Sequence, residues 1–155
     1  MRKLKLEDKQ IINQIAYIHE RELAEQNNAP RPTNFAVSLR EEMIIRRINY
    51  MSDAIYINLI DGNLAGFIWG HFQKENKVVV IEMLYVAHNY RKQHIASLLK
   101  TTIENWAIDN HAHKIIGTIH KNNTAMFELN NKLGYATEKL IMTKDLTTLD
   151  EQLKE

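Results

Sequence analysis

The chain contains no cysteine among its 155 residues. Without thiols it can form no disulfide, no thiolate metal site and no cysteine-linked acyl intermediate. No apolar run approaches the roughly 20 residues that cross a bilayer, and the first residues lack the apolar core of a signal peptide. We therefore expect a cytoplasmic protein without a membrane partner.

Proline and glycine are scarce, with two and five residues, and 20 basic residues face 19 acidic ones. The resulting net charge of +1 argues against a nucleic-acid footprint. Hydrophobic residues make up 45% of the chain and charged residues 25%, which is typical of one soluble globular domain. We expect a single domain over residues 1–155, with no repeat and no linker.

The hydrophobic pattern predicts an α+β order of strand, two helices, three strands, helix, strand, helix, strand. One strand–helix–strand crossover, around residues 78–119, should pair in parallel if its strands are adjacent. The local signals are an edge strand at Leu4 and Leu6, a helix capped by Asp8, a helix opened by a Ser38–Glu41 capping box, a hairpin turn at Asp61-Gly62-Asn63 and a last strand over residues 138–144.

Residues 82–99 read as a buried strand that leads through a short basic loop into an amphipathic helix. The first N–H groups of a helix lack intrahelical partners and carry partial positive charge, so a phosphate is the expected ligand. Arg91 and Lys92 add two full charges beside that helix end.

In this segment Leu84-Tyr85-Val86 is followed by Arg91-Lys92-Gln93-His94-Ile95-Ala96. The order resembles the acetyl-CoA-binding segment of the GNAT superfamily of N-acyltransferases, a Leu-x-Val strand end followed by R/Q-x-x-G-x-G/A. His94 replaces the first glycine, which lets the loop backbone approach a pyrophosphate closely. Residues 123–135 are similar to the family's later segment, in which an Asn opens a helix that ends in Lys-Leu-Gly-Phe.

The resemblance implies a GNAT-like mixed central β-sheet of six to seven strands flanked by about four helices. The strands on either side of the crossover would splay, so that the pantetheine arm lies between them. The implied activity is that of an N-acetyltransferase, which moves an acetyl group from acetyl-CoA to a primary amine, a small molecule or a protein, by direct attack. Acetyl-CoA is then the co-substrate, and no metal is required.

The backbone of Leu84, Tyr85 and Val86 would bind pantetheine, and the Val86 N–H would also act catalytically by stabilising the oxyanion. The other implied cofactor-binding residues are Arg91, Lys92, Gln93, His94, Ile95, Ala96, Asn123 and Asn130. Asn123 could equally be a plain helix cap.

Glu82 is the candidate general base, because it is the only charged residue between Val78 and Val86. It would share a strand face with Leu84 if no bulge intervenes. Freeing an amine of pKa near 10.4 at pH 7 costs about 4 to 5 kcal/mol, whereas a departing thiolate needs only about 2 kcal/mol, so a base should matter more than an acid. The alternative is a structural carboxylate paired with a Lys, Arg or Tyr.

Asn130 stands where many GNAT enzymes have a Tyr that is proposed to protonate the leaving thiolate. An amide cannot donate that proton, although its NH₂ group can hydrogen-bond the sulfur or the pantetheine. We therefore expect unassisted thiolate departure or a proton delivered through water. Two other functions stay open, a catalytically silent CoA-binding or sensor module and an unrelated α+β nucleotide- or phosphate-binding domain.

His71 and His120 are weaker candidates for chemistry, and His111-Ala-His113 fits a C-terminal helix turn better than a metal site. The family's acceptor pocket generally involves the first two helices and their loop, here residues 18–42. Glutamates make this region acidic, which would suit a cationic amine. The tail from Leu146 to Glu155 could be a helix packed on a second subunit, giving a homodimer, or a frayed end.

Overall fold

The computed structural model describes residues 1–144 and Leu146 of the chain. The elements in this part are β1 (Arg2–Lys3), α1 (Lys9–Gln26), α2 (Asn34–Tyr50), β2 (Asp53–Ile60), β3 (Asn63–Gln73), β4 (Val78–Val86), a 3-10 turn (His88–Tyr90), α3 (Ile95–Asp109), β5 (Lys114–Gly117) and α4 (Thr124–Lys132). They divide into two compact units, Met1–Thr118 and the residues from Ile119 onward. The expectation of a single domain stays a prediction. None of the helices described is long and apolar enough to cross a membrane.

The first unit contains one sheet with the strand order β1-β2-β3-β4-β5. The first four strands pair antiparallel, and β4 pairs with β5 in parallel, which confirms the predicted crossover. Helices on both sides of a mixed sheet make this the α+β fold that the resemblance implies.

The prediction of six to seven strands is wrong for the described residues, which form five. Residues 138–144, expected as the last strand, have no ladder partner in this part of the chain. Leu140, Ile141 and Met142 are between 78% and 93% exposed there. A strand is stable only when it pairs with a neighbouring strand, and a short apolar run does not determine which strand that is.

The hairpin of β2 and β3 forms where the turn residues predict it. Asp61 and Gly62 have φ angles of 50° and 78°, the pair of positive values that a type I′ turn requires. Strands β3 and β4 each contain one β-bulge. Ala65 is an extra residue in β3 opposite β2, and Glu82 is an extra residue in β4 opposite β3.

Two hydrophobic layers form on opposite faces of the sheet. Side chains of β3 such as Phe67 and Trp69 pack with Ile12, Ile15 and Ile44 of α1 and α2. On the other face, Ile68 packs with Ile95, Leu99 and Ile103 of α3. Gly66 and Gly70 let α3 approach β3, since a Cβ at either position would lie within 3.3 Å of α3 side chains.

Two predicted helix caps differ from the observed ones. Asp8 is the residue before α1, but its carboxylate binds Arg2 at 2.6 and 2.7 Å and the Lys5 N–H instead of the helix. That pairing with Arg2 lowers the pKa of Asp8. The Ser38–Glu41 capping box is wrong, because α2 begins one turn earlier with Thr33 as its cap, whose hydroxyl accepts the Ala36 N–H at 3.1 Å.

Candidate active site

A gap opens in the sheet beside the C-terminal half of β4. The parallel ladder between β4 and β5 ends at the pair Ile81 and Gly117, whereas β4 continues to Val86. The last five residues of β4 therefore have a neighbour on the β3 side only, among the residues that the structure describes. Because β5 itself ends at Gly117, the predicted splay of these two strands stays a prediction.

The ladder determines which peptide groups of β4 face this gap. The Ala87 N–H donates to the Ala65 carbonyl at 2.9 Å, and Tyr85 lies opposite Phe67. Because antiparallel pairs alternate, the N–H and C=O of Tyr85 point toward β3, and those of Leu84 and Val86 point away from it. The peptide groups of Leu84 and the Val86 N–H thus stay available for a ligand, whereas the Val86 carbonyl accepts from Arg91 Nε. The backbone of Tyr85, also expected to bind pantetheine, pairs with β3 instead.

The N-terminus of α3 lies at the end of the basic loop and presents uncapped N–H groups. The first intrahelical bond runs from the Leu98 N–H to the His94 carbonyl at 3.0 Å, and His94 provides no side-chain cap. The N–H groups of Ile95, Ala96 and Ser97 are therefore the ones that a bound anion can accept from.

His94 has φ 61° and ψ 10°, which is the left-handed region favoured by glycine. His94, which replaces the first glycine of the GNAT pattern, therefore adopts a backbone conformation that glycine reaches without strain. Lys92 has a positive φ of 61° as well. Left-handed residues next to a helix start turn successive N–H groups toward one point, which is a geometry that binds anions.

The basic side chains of the loop are exposed and leave the helix end accessible. Arg91, Lys92 and His94 are all exposed to solvent. Arg91 Nε donates to the Val86 carbonyl at 3.2 Å, and Gln93 Nε2 donates to the Asn89 carbonyl at 3.4 Å. The predicted anion-binding residues are therefore brought together at one end of β4 and α3.

Glu82 occupies the bulge of β4, and this changes the face on which its side chain lies. Ile81 pairs with Gly70 and Met83 pairs with Trp69, so Glu82 has no partner in the ladder. Without a bulge Glu82 would share a face with Leu84, but the extra residue places it with Met83 on the face of α1 and α2. Glu82 and Leu84 were expected to share a face if β4 had no bulge. Because β4 has a bulge, the two side chains lie on opposite faces.

On that face Glu82 belongs to a chain of charged groups. Arg47 of α2 donates through an NH₂ group to Glu82 Oε1 at 2.6 Å. Its Nε lies 2.8 Å from Oδ2 of Asp53, at the start of β2. That contact is an ion pair without hydrogen-bond geometry, since the buried Nε has no hydrogen-bond partner among the described residues. The Asp53 side chain is fully buried and accepts a hydrogen bond from Trp69 Nε1 at 2.6 Å. His71 Nδ1 lies 2.7 Å from its other oxygen, which gives His71 a structural partner.

Sequence reasoning missed His19, which stands on α1 beside this network. Its ring centroid is 5.7 Å from that of Trp69, and its buried Nδ1 has no hydrogen-bond partner in the described part of the chain. Burial lowers the pKa of His19, helped by the charge of Arg40 and opposed by Glu20 and Glu82. His19 follows a stripe of apolar residues along α1, so nothing in the sequence around it indicates that it lies beside polar side chains of the sheet.

Residues 18–42 contain five glutamates and three arginines, and arginines pair with three of these glutamates. Glu20 pairs with Arg40 at 2.6 Å, and Glu22 and Glu25 lie 2.8 and 3.7 Å from Arg21. Contacts with Tyr85 and Glu22 raise the pKa of Arg21 above its usual range. A cleft of about 300 Å³ beside these residues is lined by Tyr17, Arg21, Ala24, Glu25, Ala29, Arg31 and Pro32.

The second unit contains the later segment of the resemblance. Asn123 caps α4, since its side chain accepts the Met126 N–H at 3.1 Å. Asn130 is only 6% exposed, and its Oδ1 has no hydrogen-bond partner among the described residues. Gly134 has φ 84° and ends the helix in the usual way. The proposed ligand contacts of Asn123 and Asn130 stay predictions.

The remaining histidines have local roles. His111 has φ 58° just after the end of α3, in agreement with a helix C-terminal turn. His120 Nδ1 accepts the Asn122 N–H at 3.3 Å. Among residues 1–144 and Leu146, no group of three or more His, Asp or Glu side chains could hold a metal ion. The tail expected to pack on a second subunit lies outside the described residues, except for Leu146.

An unpaired stretch of β4 thus lies next to an uncapped helix end, and the Glu82 carboxylate lies on the opposite face of the sheet. The sequence profile of the Acetyltransferase (GNAT) family matches residues 19–135. A protein of Staphylococcus aureus subsp. aureus assigned to the GNAT acetyltransferases is 41% identical, with a TM-score of 0.71, over 76% of this chain and 98% of that chain. The chain therefore belongs to the GNAT acetyltransferase family and is an acyltransferase.

Other solved structures share the fold at lower identity. The aminoglycoside acetyltransferase AAC(6')-Iy, in complex with a CoA bisubstrate analogue, is 20% identical with a TM-score of 0.67, over 93% of this chain and 95% of that chain. An acetyltransferase of Pyrococcus furiosus is 22% identical with a TM-score of 0.69, over 90% and 95% of the two chains. These likenesses show the fold alone. A search of curated protein sequences found no match.

Proposed function

We propose that the protein transfers the acetyl group of acetyl-CoA to a primary amine by direct attack, with Glu82 as the general base. The observation that carries this proposal is the position of β4. One side of its C-terminal half offers the Leu84 peptide groups and the Val86 N–H, which have no partner strand there, and its bulge presents a carboxylate to α2.

Acetyl-CoA fits the residues around the gap. The uncapped N–H groups of Ile95, Ala96 and Ser97, with Arg91 and Lys92 nearby, would receive the pyrophosphate. The peptide groups of Leu84 and Val86 would pair with the amides of the pantetheine arm in the place of a neighbouring strand. The CoA bisubstrate analogue bound by AAC(6')-Iy is of the same chemical class.

In the reaction, the lone pair of the amine forms the new C–N bond and the C–S bond of the thioester breaks. Glu82 takes the proton that the amine loses, which it can do through its second oxygen because Arg47 contacts only Oε1. The Val86 N–H points into the gap and would stabilise the developing oxyanion. CoA leaves as a thiolate, since Asn130 has no acidic proton to give.

The alternative of a purely structural Glu82 has a specific observation in its favour, the ion pair with Arg47 at 2.6 Å. The side chain is nevertheless 29% exposed, so it is accessible to a substrate. A carboxylate that is both paired and accessible can serve as a base, and activity measurements separate the two roles.

The cleft along α1 argues for an acceptor that is not a polycation. Arg21 and Arg31 line it with Glu25, and Arg21 is already paired with Glu22 and Glu25, so its charges nearly balance. A polycation is attracted by an excess of carboxylates, which this cleft lacks. We therefore propose a monoamine or an amine that also carries an acidic group, rather than an aminoglycoside or polyamine.

The test begins with a thermal-shift titration with acetyl-CoA and with ADP. Ligand at about 100 times its dissociation constant stabilises by roughly 2.7 kcal/mol, or several degrees for a chain of this length. We expect a shift with acetyl-CoA that ADP does not reproduce. Absence of any shift with acetyl-CoA contradicts the proposed co-substrate.

Thiol release is then measured with monoamines, amino acids, spermidine and kanamycin. Glu82→Gln is compared with Glu75→Gln, a matched change of an exposed glutamate in the β3–β4 turn. We expect a loss of at least about 100-fold for Glu82→Gln, the scale of general base catalysis, and no loss for the control. Binding of acetyl-CoA without thiol release from any amine would instead favour the catalytically silent module.

A further inference from the structure

Arg47 connects the proposed base to a carboxylate inside the protein. Its NH₂ group lies 2.6 Å from Glu82 Oε1 on β4, and its Nε lies 2.8 Å from Asp53 Oδ2 on β2. Only 17% of the Arg47 side chain is exposed. One guanidinium therefore spans two strands of the sheet and contacts both carboxylates with different nitrogens.

The inner end of this connection is held rigidly. Asp53 has a fully buried side chain whose oxygens are contacted by Trp69 Nε1 and His71 Nδ1 as well as by Arg47. The guanidinium carbon lies 4.9 Å from the centroid of the Trp69 ring, which restricts its position further. Arg47 is thus fixed by groups of β2 and β3 before it reaches Glu82.

Stability alone does not account for such an arrangement. Desolvating a carboxylate and a guanidinium costs several kcal/mol per ion, and apolar residues of similar size often stabilise a fold equally well. The outer partner, Glu82, is a bulge residue without a ladder pair, and the recorded hydrogen bond of its side chain is the one from Arg47. Without the guanidinium its carboxylate would lose the contact that selects one of its rotamers.

We propose that Arg47 is the positioning residue of the active site, which fixes Oε1 of Glu82 so that Oε2 faces the acceptor amine. This inference rests on the proposed function of Glu82. Orientation of a reacting group within a fraction of an ångström accounts for large parts of many rate accelerations. The charge of Arg47 alone is not sufficient, because the proposal requires that one side chain reach Asp53 and Glu82 together.

Lysine separates charge from geometry at this position. It keeps the positive charge but has a single nitrogen and no planar fork, so it cannot contact both carboxylates as arginine does. The same helix offers a matched control. Arg40, two helical turns before Arg47, pairs with Glu20 at 2.6 Å and has a similarly covered side chain, 20% exposed.

The experiment measures kcat, the KM for the amine and the dissociation constant of acetyl-CoA for Arg47→Lys and Arg40→Lys. We expect kcat to fall at least about 10-fold in Arg47→Lys, with KM and acetyl-CoA affinity within about 3-fold of the wild type. Arg40→Lys should keep kcat within about 2-fold. Full kcat in Arg47→Lys, an equal loss in Arg40→Lys, or a loss confined to KM would each overturn the proposal, and the last would mean that Arg47 binds the acceptor.

A double-mutant cycle separates this inference from the proposed function. If Glu82 is the base and Arg47 acts through it, Arg47→Lys should cause no further loss in the Glu82→Gln background. If Glu82→Gln itself has no effect, the proposed base is wrong. If Glu82→Gln is inactive while Arg47→Lys is fully active, only the positioning role is wrong.

A measurement without turnover completes the test. Side-chain ¹³C relaxation of Glu82 reports how ordered its carboxyl group is. We expect an ordered side chain in the wild type and in Arg40→Lys, and a mobile one in Arg47→Lys. Equal order in all three proteins would overturn the positioning role even if no amine substrate were found.

Discussion

Gly66 in β3 allows a close contact on which both the packing of α3 and the gap beside β4 depend. A Cβ at this position would lie 2.7 Å from the carbonyl oxygen of Tyr85, and 3.3 Å from side-chain carbons of Ile95 and Leu99. The first neighbour is backbone and cannot rotate away. Gly66→Ala must therefore displace β4 from β3, next to the residues that face the ligand gap.

Gly70 provides the matched comparison on the same strand. A Cβ there would lie 2.9 and 3.1 Å from Cδ1 and Cγ1 of Ile103 and 3.3 Å from the Trp106 ring, all side-chain atoms that can shift slightly where the backbone of β4 cannot. Overpacking of a filled core costs about 1 to 3 kcal/mol, and the lower entropy of the unfolded alanine chain offsets about 0.4 to 1 kcal/mol. We expect Gly66→Ala to lose about 2 kcal/mol of unfolding free energy and Gly70→Ala less than about 1 kcal/mol.

Urea denaturation of the two variants and the wild type measures these differences in unfolding free energy, provided that the m-value is the same in all three proteins. For a chain of this length the larger loss corresponds to a fall in Tm of about 4 to 8 °C. Because Gly66 lies opposite Val86, acetyl-CoA affinity should fall in Gly66→Ala and change little in Gly70→Ala. Equal losses in both variants, or a larger loss in Gly70→Ala, would refute the argument from backbone contact.

Three further predictions concern single side chains. His94→Gly should bind acetyl-CoA more tightly in a titration, without loss of Tm, because it removes a side chain from the helix end and relieves a left-handed backbone. Because burial lowers the pKa of His19, the unfolded chain binds the proton more readily, so stability should fall as the pH drops through about 6.5. Urea midpoints from pH 7.5 to 5.5 should show a weaker fall in His19→Gln. Burial lowers the pKa of Lys100 to about 8, so wild-type stability should rise between pH 8 and about 10.4, a rise that Lys100→Met should lack.

Patterns that repeat along the sequence predicted most of the fold. The apolar stripe of α1 is buried at Ile12 and Ile15, the Asp61-Gly62 turn forms its hairpin, and α3 begins at the predicted basic loop. These signals are local, because each depends on residues a few positions apart. The uncapped start of α3 beside basic residues could be predicted for the same reason.

Single-residue irregularities could not be predicted, and they determine the site. If Ala65 were paired in a regular ladder, the hairpin would place Asp53 opposite Gly70, whereas the observed register, with Ala65 as a bulge, places it opposite His71. The bulge at Glu82 likewise places that carboxylate on the face of the sheet that packs against α1 and α2, where it contacts Arg47. A bulge depends on contacts between strands, which hydrophobic periodicity does not contain. The network of Asp53, His71 and Arg47 was missed for this reason.

Because Glu82 is the bulge residue of β4, it can be removed without changing the pairing of the other residues in the sheet. Ile81 and Leu84 face α3 while Met83 and Tyr85 face α1 and α2, which is the ordinary alternation of a strand from which Glu82 has been left out. Removing Glu82 would thus produce a regular ladder with every remaining side chain on its present face. The ladder does not require this residue, so deleting it would remove the proposed base while the core side chains stay on their present faces.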